Sequence, residues 1–130
     1  MIKPNELRIG NYVYEKYWCN DKRNYILEQL KIESIFKSHI VDHLDNAYEC
    51  NYIIPIPLTE KILLKCGFVL DILNNGDSPV WLNDNNFYIN SKTFQPEDGG
   101  FYICRYEIKY LHQLQNLYFV LTQKELEIQL

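Results

Sequence analysis

Three histidines, four cysteines and seventeen carboxylates are the side chains of this sequence able to move protons or hold a metal. Their spacing decides which chemistry each supports. His112 stands in "YLHQLQNLYFVLTQKEL", Tyr110 to Leu126, among the amides Gln113, Gln115, Asn116 and Gln123. A general base there needs a carboxylate one helical turn away to orient it, and the residue four positions earlier is Ile108. The structural alternative is local. An imidazole nitrogen at the N-cap accepts a free backbone N–H while Gln115, at N3, reaches back in a variant of the capping box.

His39 and His43 have the HxxxH spacing that suits a metal on a helix. Their surroundings read as strand, where four residues span ~13 Å and one ion cannot take both. No metal site is expected. Asp42 with Asp45, and Glu97 with Asp98, are close in sequence, yet nothing fixes the separation that a hydrolase needs. Glycine-rich phosphate loops, GxSxG elbows and HExxH motifs are absent from the sequence. No reaction and no cofactor follow from it.

Eleven tyrosines and two tryptophans are the compositional oddity. Aromatics on strands serve as stacking platforms for single-stranded nucleic acid or as anchors for a protein partner. A net charge of -4 and a basic cluster no longer than Lys22 and Arg23, with Lys16 before it, argue against affinity drawn mainly from phosphates. The leading expectation is a non-enzymatic protein-interaction module. Its candidate partner-binding residues are Tyr12, Tyr14 and Trp18 on strands and His112, Gln115 and Phe119 on a helix. Two alternatives stay open: a single-stranded nucleic-acid binder that stacks bases on Tyr12, Tyr14, Trp18 or Tyr25, and an unrecognised small hydrolase built on His112.

The elements that must position these residues form one α+β domain over 1–130, a length at which a single core is self-sufficient. "LRIGNYVYEKYW" reads as a strand entered through a turn at Gly10 and Asn11, and "YILEQLKIESIFKSHIVDHL" as two more antiparallel strands around Lys37 and Ser38. These suggest a small SH3-like curled sheet. Pro55 and Pro57 place their segment at a sheet edge, because each lacks a backbone donor. "PLTEKILLKCGF" carries a complete helix signature over 60–66: Thr59 as N-cap, a Leu58–Leu63 staple, and Gly67 at the left-handed C′ position with Phe68 folding back. Ile62, Leu63 and Cys66 are expected to face the core.

Beyond it, Asp84 to Asn86 reads as a hairpin loop, and "FYICRYEIKY" as a strand with clear period-two alternation. A second helix is expected over 113–121, with Tyr110, Leu114, Leu117, Tyr118 and Leu121 as its core stripe at ~100° per residue. Alternation of Leu126, Ile128 and Leu130 suggests a final strand. Scattered cysteines fit a reducing compartment, and no segment has the ~20 apolar residues of a membrane span. A cytoplasmic protein is expected, with no membrane partner.

Three blocks in order, "NELRIGNYVY", "IPIPLTE" with "LLKCGF", and "HQLQNLYFVLT", resemble a family of short uncharacterised proteins of Bacteroides-type gut bacteria and their phages and mobile elements. The resemblance implies a phage or mobile-element accessory role and carries no activity with it. Members of that family tend to read LTGEEL where this chain has "LTQKEL", so Gln123 stands where a glycine would end the helix.

Overall fold

The computed structural model describes residues 2–71, 80–83, 87–91, 96–98, 101–102 and 107–129. It has mixed helix and antiparallel sheet, the α+β class read from the sequence. Two compact units divide the chain: Met1–Pro57 with Tyr110–Asn116, and Leu58–Lys109 with Leu117–Leu130.

The first unit contains strands β1 (Tyr12–Cys19), β2 (Asn24–Ile35), β3 (His39–Asp42), β4 (Ala47–Glu49) and β5 (Ile53–Ile54) in the spatial order β4-β3-β2-β1-β5. Four strands form a meander, a 3-10 turn at Cys50–Tyr52 follows, and β5 returns antiparallel to β1. This is the connectivity of an SH3-type barrel, with the sheet open between β4 and β5. The long β2 serves both halves of it. Its ladder with β1 ends near Lys31, and a bulge at Glu33 shifts its register against β3; such an extra residue bends a strand. Val13, Leu30, Ile32, Ile40 and Ile53 make the core, with Leu7, Ile35 and Tyr48 against it. Pro55 and Pro57 follow the edge strand β5, as their missing donors require.

The turns are specified by side chains. Asp42 closes the β3–β4 turn: its Oδ1 accepts from the backbone N–H of Leu44 and of Asn46, both at 2.9 Å, while Tyr48 Oη donates to Oδ2 at 3.0 Å. Burial alone would raise this carboxyl's pKa, but the hydrogen bonds from Asn46, Leu44 and Tyr48 outweigh it and hold the group below its ordinary value. Burial, with the bond to Asp42, pushes the Tyr48 hydroxyl up to about 12. One half of the Asp42/Asp45 pair is therefore a turn residue, and Asp45 sits at φ 64 in the same turn.

In the second unit β6 (Val69–Asp71), β7 (Val80–Leu82), β8 (Tyr88–Asn90), β9 (Pro96–Asp98) and β10 (Phe101–Tyr102) are paired successively, all antiparallel. Helix α1 (Glu60–Lys65) has the local chemistry read for it. Thr59 Oγ1 accepts from the N–H of Ile62, and Gly67 at φ 80 lets Phe68 N–H reach the Leu63 carbonyl at 3.0 Å. This is a Schellman stop. Leu63, Cys66 and Phe68 are buried, and Ile62 is half-buried. Phe68, Phe87 and Tyr118 form an aromatic chain in this unit's core, with ring centroids 6.2 and 5.3 Å apart.

Three expectations need correction. Helix α2 runs over Leu111–Thr122, starting two residues before the expected start. Its buried positions are Leu111, His112, Leu114, Gln115 and Tyr118, while Leu117 is half-buried and Leu121 is exposed. The apolar stripe was right at Leu114 and Tyr118, but two amphipathic positions that the stripe left out are interior. The terminal segment is not a strand over 125–129; Leu126 is buried and Gln129 N–H bonds the Lys65 carbonyl at 2.9 Å without a strand ladder among the described residues. Of "FYICRYEIKY", Phe101–Tyr102 is strand β10, while 107–109 is outside any strand although its burial still alternates about Ile108. Residues 103–106 with Cys104, the loop 84–86, and Leu130 lie outside the described residues.

Gln123 keeps the left-handed geometry at the end of α2, with φ 59 and its N–H on the Phe119 carbonyl at 2.8 Å. A Cβ in that region is strained, so Gln123→Gly is expected to raise stability by a few tenths to about 1 kcal/mol, read from urea unfolding.

Candidate functional site

The polar cluster of α2 lies inside the first unit. His112 and Gln115 are 2% and 1% exposed, which leaves neither a surface to offer a partner. Gln115 clamps the turn that enters β1: its Oε1 accepts from Tyr12 N–H at 2.9 Å and its Nε2 donates to the Gly10 carbonyl at 3.0 Å. Asn116 continues the clamp, accepting from Asn11 Nδ2 at 2.9 Å and donating to the Glu6 carbonyl at 3.0 Å. Asn11 is itself fully buried and accepts from Arg8 N–H at 2.7 Å. Gly10, at φ 92, supplies the left-handed turn that aims these backbone groups at the helix.

The capping box forms two residues earlier than expected. Tyr110 is the residue before the helix and Gln113 Oε1 accepts its N–H at 3.2 Å. His112 therefore caps nothing. Its ring stacks on Tyr110 with centroids 5.8 Å apart, and neither ring nitrogen has a hydrogen-bond partner among the described residues. Burial holds its pKa below the ordinary value of 6.5, with Glu6 opposing the shift. A neutral imidazole enclosed in this way is poorly placed for proton transfer to a substrate. Phe119 is half-buried in the second unit.

The strand residues form a different site. Residues opposite one another in an antiparallel ladder share a face. Val13 with Leu30 faces the core; Tyr12, Tyr14, Lys16 and Trp18 of β1 share the other face with Lys31, Gln29, Leu27 and Tyr25 of β2. Among the described residues, other strands pair only with the base of this ribbon, since β5 pairs with β1 at Tyr14 and Glu15 and β3 joins β2 from Ile32 onward. The outer part, Lys16–Cys19 against Asn24–Leu27, is two-stranded. Its aromatics are consequently exposed: Trp18 52%, Tyr25 56% and Tyr17 37%. Tyr12 and Tyr14, nearer the base, are half-buried.

Trp18 and Tyr25 meet edge to face at 5.1 Å, Lys16 Nζ lies 4.7 Å above the Tyr25 ring, and Trp18 Nε1 donates to Asn20 Oδ1 at 3.0 Å. These contacts fix the rings without covering them. Tyr52, 56% exposed, comes from the 3-10 turn before β5. Glu15, Lys16, Tyr17, Trp18 and Tyr25 from the ribbon, with Tyr52 and its neighbours, line an open depression of about 540 Å³. Tyr17 and Tyr52 escaped the sequence reading. Tyr17 is out of phase with the aromatic face, and Tyr52 sits in a segment read as strand.

A larger hollow of about 690 Å³ in the second unit is lined mainly by the end of α1 and by residues 124–129, with Tyr118 as the one ring among the described residues. Of the two histidines at HxxxH spacing, for which no metal site is expected, His39 lies in β3 stacked on Phe36 at 4.5 Å, and His43 follows in the exposed turn. Cys50 and Cys66 are buried free thiols, the latter pushed up to about 12 by burial, and Cys19 is a half-buried one at the ribbon's end. No helix among the described residues is long and apolar enough to cross a membrane. Comparison of the chain with protein-family models, with curated proteins and with solved structures gives no match.

Proposed function

We propose that the protein is a non-enzymatic interaction module that binds a protein partner at the aromatic depression of its first unit. The supporting observation is the group of four exposed rings, Tyr17, Trp18, Tyr25 and Tyr52, around one hollow. Exposed Trp and Tyr in a concavity are the side chains that supply binding energy at interfaces, because they bury large rigid surfaces at little entropic cost. The resemblance drawn from the sequence supports a setting in a phage or mobile element, acting in the cytoplasm.

Trp18→Ala tests the reading directly. Removing a central aromatic anchor is expected to weaken partner capture at least ~tenfold, by about 1.4 kcal/mol or more, with the unfolding midpoint unchanged because the ring is outside the core. Quantitative capture from native-host lysate on wild-type and W18A chains measures this. Equal recovery on both chains rejects the site.

A second reading rests on the outer face of the ribbon, where Tyr12, Tyr14, Trp18 and Tyr25 share one side with Lys16 and Lys31. That interleaving suits single-stranded nucleic acid, whose bases stack on rings while lysines meet phosphates. It requires oligothymidylate or oligouridylate to bind at low salt and to be released as salt rises. No binding at low salt removes it.

A further inference from the structure

The charges around the depression point to the chemistry of its occupant. Glu15 lines the hollow, and the residue directly opposite it in the ladder is Glu28. Like charges facing one another across a strand pair repel. Neither carboxylate has an ion pair or hydrogen bond among the described residues. Burial, then Glu28, then Asp42 hold the Glu15 carboxyl above its ordinary pKa. The site thus keeps an uncompensated negative charge beside aromatic rings.

Rings and carboxylates together attract cations, the π faces through their quadrupole and the carboxylates through their charge. The ribbon already shows half of this: Lys16 Nζ sits on Tyr25. Among the described residues lining the hollow Lys16 is the one cation, so an anionic ligand would meet an engaged lysine and a carboxylate in the same lining. Beside the hollow, β1 runs on from Lys16 to Cys19 past the end of β5. An extended chain fits along such an edge.

Resting on the interaction reading above, we propose that the depression takes an extended peptide segment of the partner through a lysine or arginine side chain, held among the lining rings Tyr17, Trp18 and Tyr52 by the charge of Glu15, to which Glu28 adds from the facing strand. Selection from a random peptide library on the immobilised full chain tests it, followed by titration of one selected peptide and its copy with norleucine for the basic residue. Selected peptides are expected to share Lys or Arg at a fixed position, to bind ~tenfold more weakly when that residue is norleucine, and to lose the same factor on Glu15→Gln/Glu28→Gln. The double variant folds at least as well as wild type, since it removes the facing charges. Binding of the norleucine peptide to it is expected to stay within about twofold of wild type.

The failures are distinguishable. Peptides that need Trp18 but show no basic preference, or that bind the double variant unchanged, overturn the charge assignment and leave the interaction site standing. Peptides indifferent to Trp18→Ala, or no selected peptide at all, overturn both. Oligothymidylate binding that needs Trp18 and is unaffected by the peptides overturns both in favour of nucleic acid.

Discussion

Gln115→Ala is expected to destabilise the first unit by about 2–4 kcal/mol, although the residue touches no active chemistry. Its amide satisfies two backbone groups at once, the Tyr12 N–H and the Gly10 carbonyl, and its own side chain is fully buried. Alanine removes both partners and leaves two part-buried backbone groups without them. Each unsatisfied buried group costs about 1–3 kcal/mol. Gln115→Glu separates the two contacts, because a carboxylate still accepts from Tyr12 but confronts the Gly10 carbonyl with like polarity. It is expected to fold less stably than wild type at neutral pH. Gln113→Ala supplies the contrast within the same helix. It loses the bond from Tyr110 N–H at a half-buried cap, a contact expected to be worth about 1 kcal/mol. Urea unfolding of the three variants checks the order, and a Gln115→Ala chain no weaker than Gln113→Ala would show that the clamp carries no stability.

The difference between these two glutamines is also the difference between what the sequence discloses and what it hides. Helix α1 was legible from Thr59 to Phe68 because its determinants are local: cap, left-handed glycine and fold-back lie within ten residues. The antiparallel strands of the first unit were legible in part for a similar reason, since Gly10 marks the entry to β1, Lys37–Ser38 the β2–β3 turn and the two prolines the end of β5, whereas the strand order was not readable from these local signals. Gln115 answers to Gly10 and Tyr12, more than a hundred positions away, and no periodicity reports such a pairing. A weaker signal was present. Leu111, Leu114, Gln115 and Tyr118 have the i, i+3, i+4, i+7 spacing of a buried stripe, and an amide within such a stripe must be bonded to something. The same limit applies to the depression. Tyr12, Tyr14, Trp18 and Tyr25 could be placed on one face by alternation, whereas Tyr52 reaches the ribbon only because β5 returns to β1.

His112→Leu is expected to do the opposite of a damaging core substitution: it should stabilise the first unit by about 1–2 kcal/mol at pH 7.5. Two ring nitrogens buried without partners cost free energy that an apolar side chain of similar volume does not, and the lost stacking on Tyr110 offsets part of the gain. The pH dependence fixes the cause. Burial lowers the folded-state pKa of His112 below 6.5, so the unfolded chain binds the proton more readily and wild-type stability falls as pH drops below that value. Above 6.5 the imidazole is neutral in both states and contributes no slope. In His112→Leu the slope just below 6.5 is expected to flatten. The separate loss due to Asp42 remains, since its lowered pKa contributes stability that is complete above 3.8 and disappears as pH falls through the folded-state value. Unfolding measured from pH 8 down to pH 2 on both chains therefore separates the two groups, the His112 slope lying around and below 6.5 and the Asp42 loss below 3.8. A His112→Leu chain that is less stable than wild type, with the slope below 6.5 retained, would mean that the imidazole makes a contact its burial does not account for, and would reopen a chemical role for it.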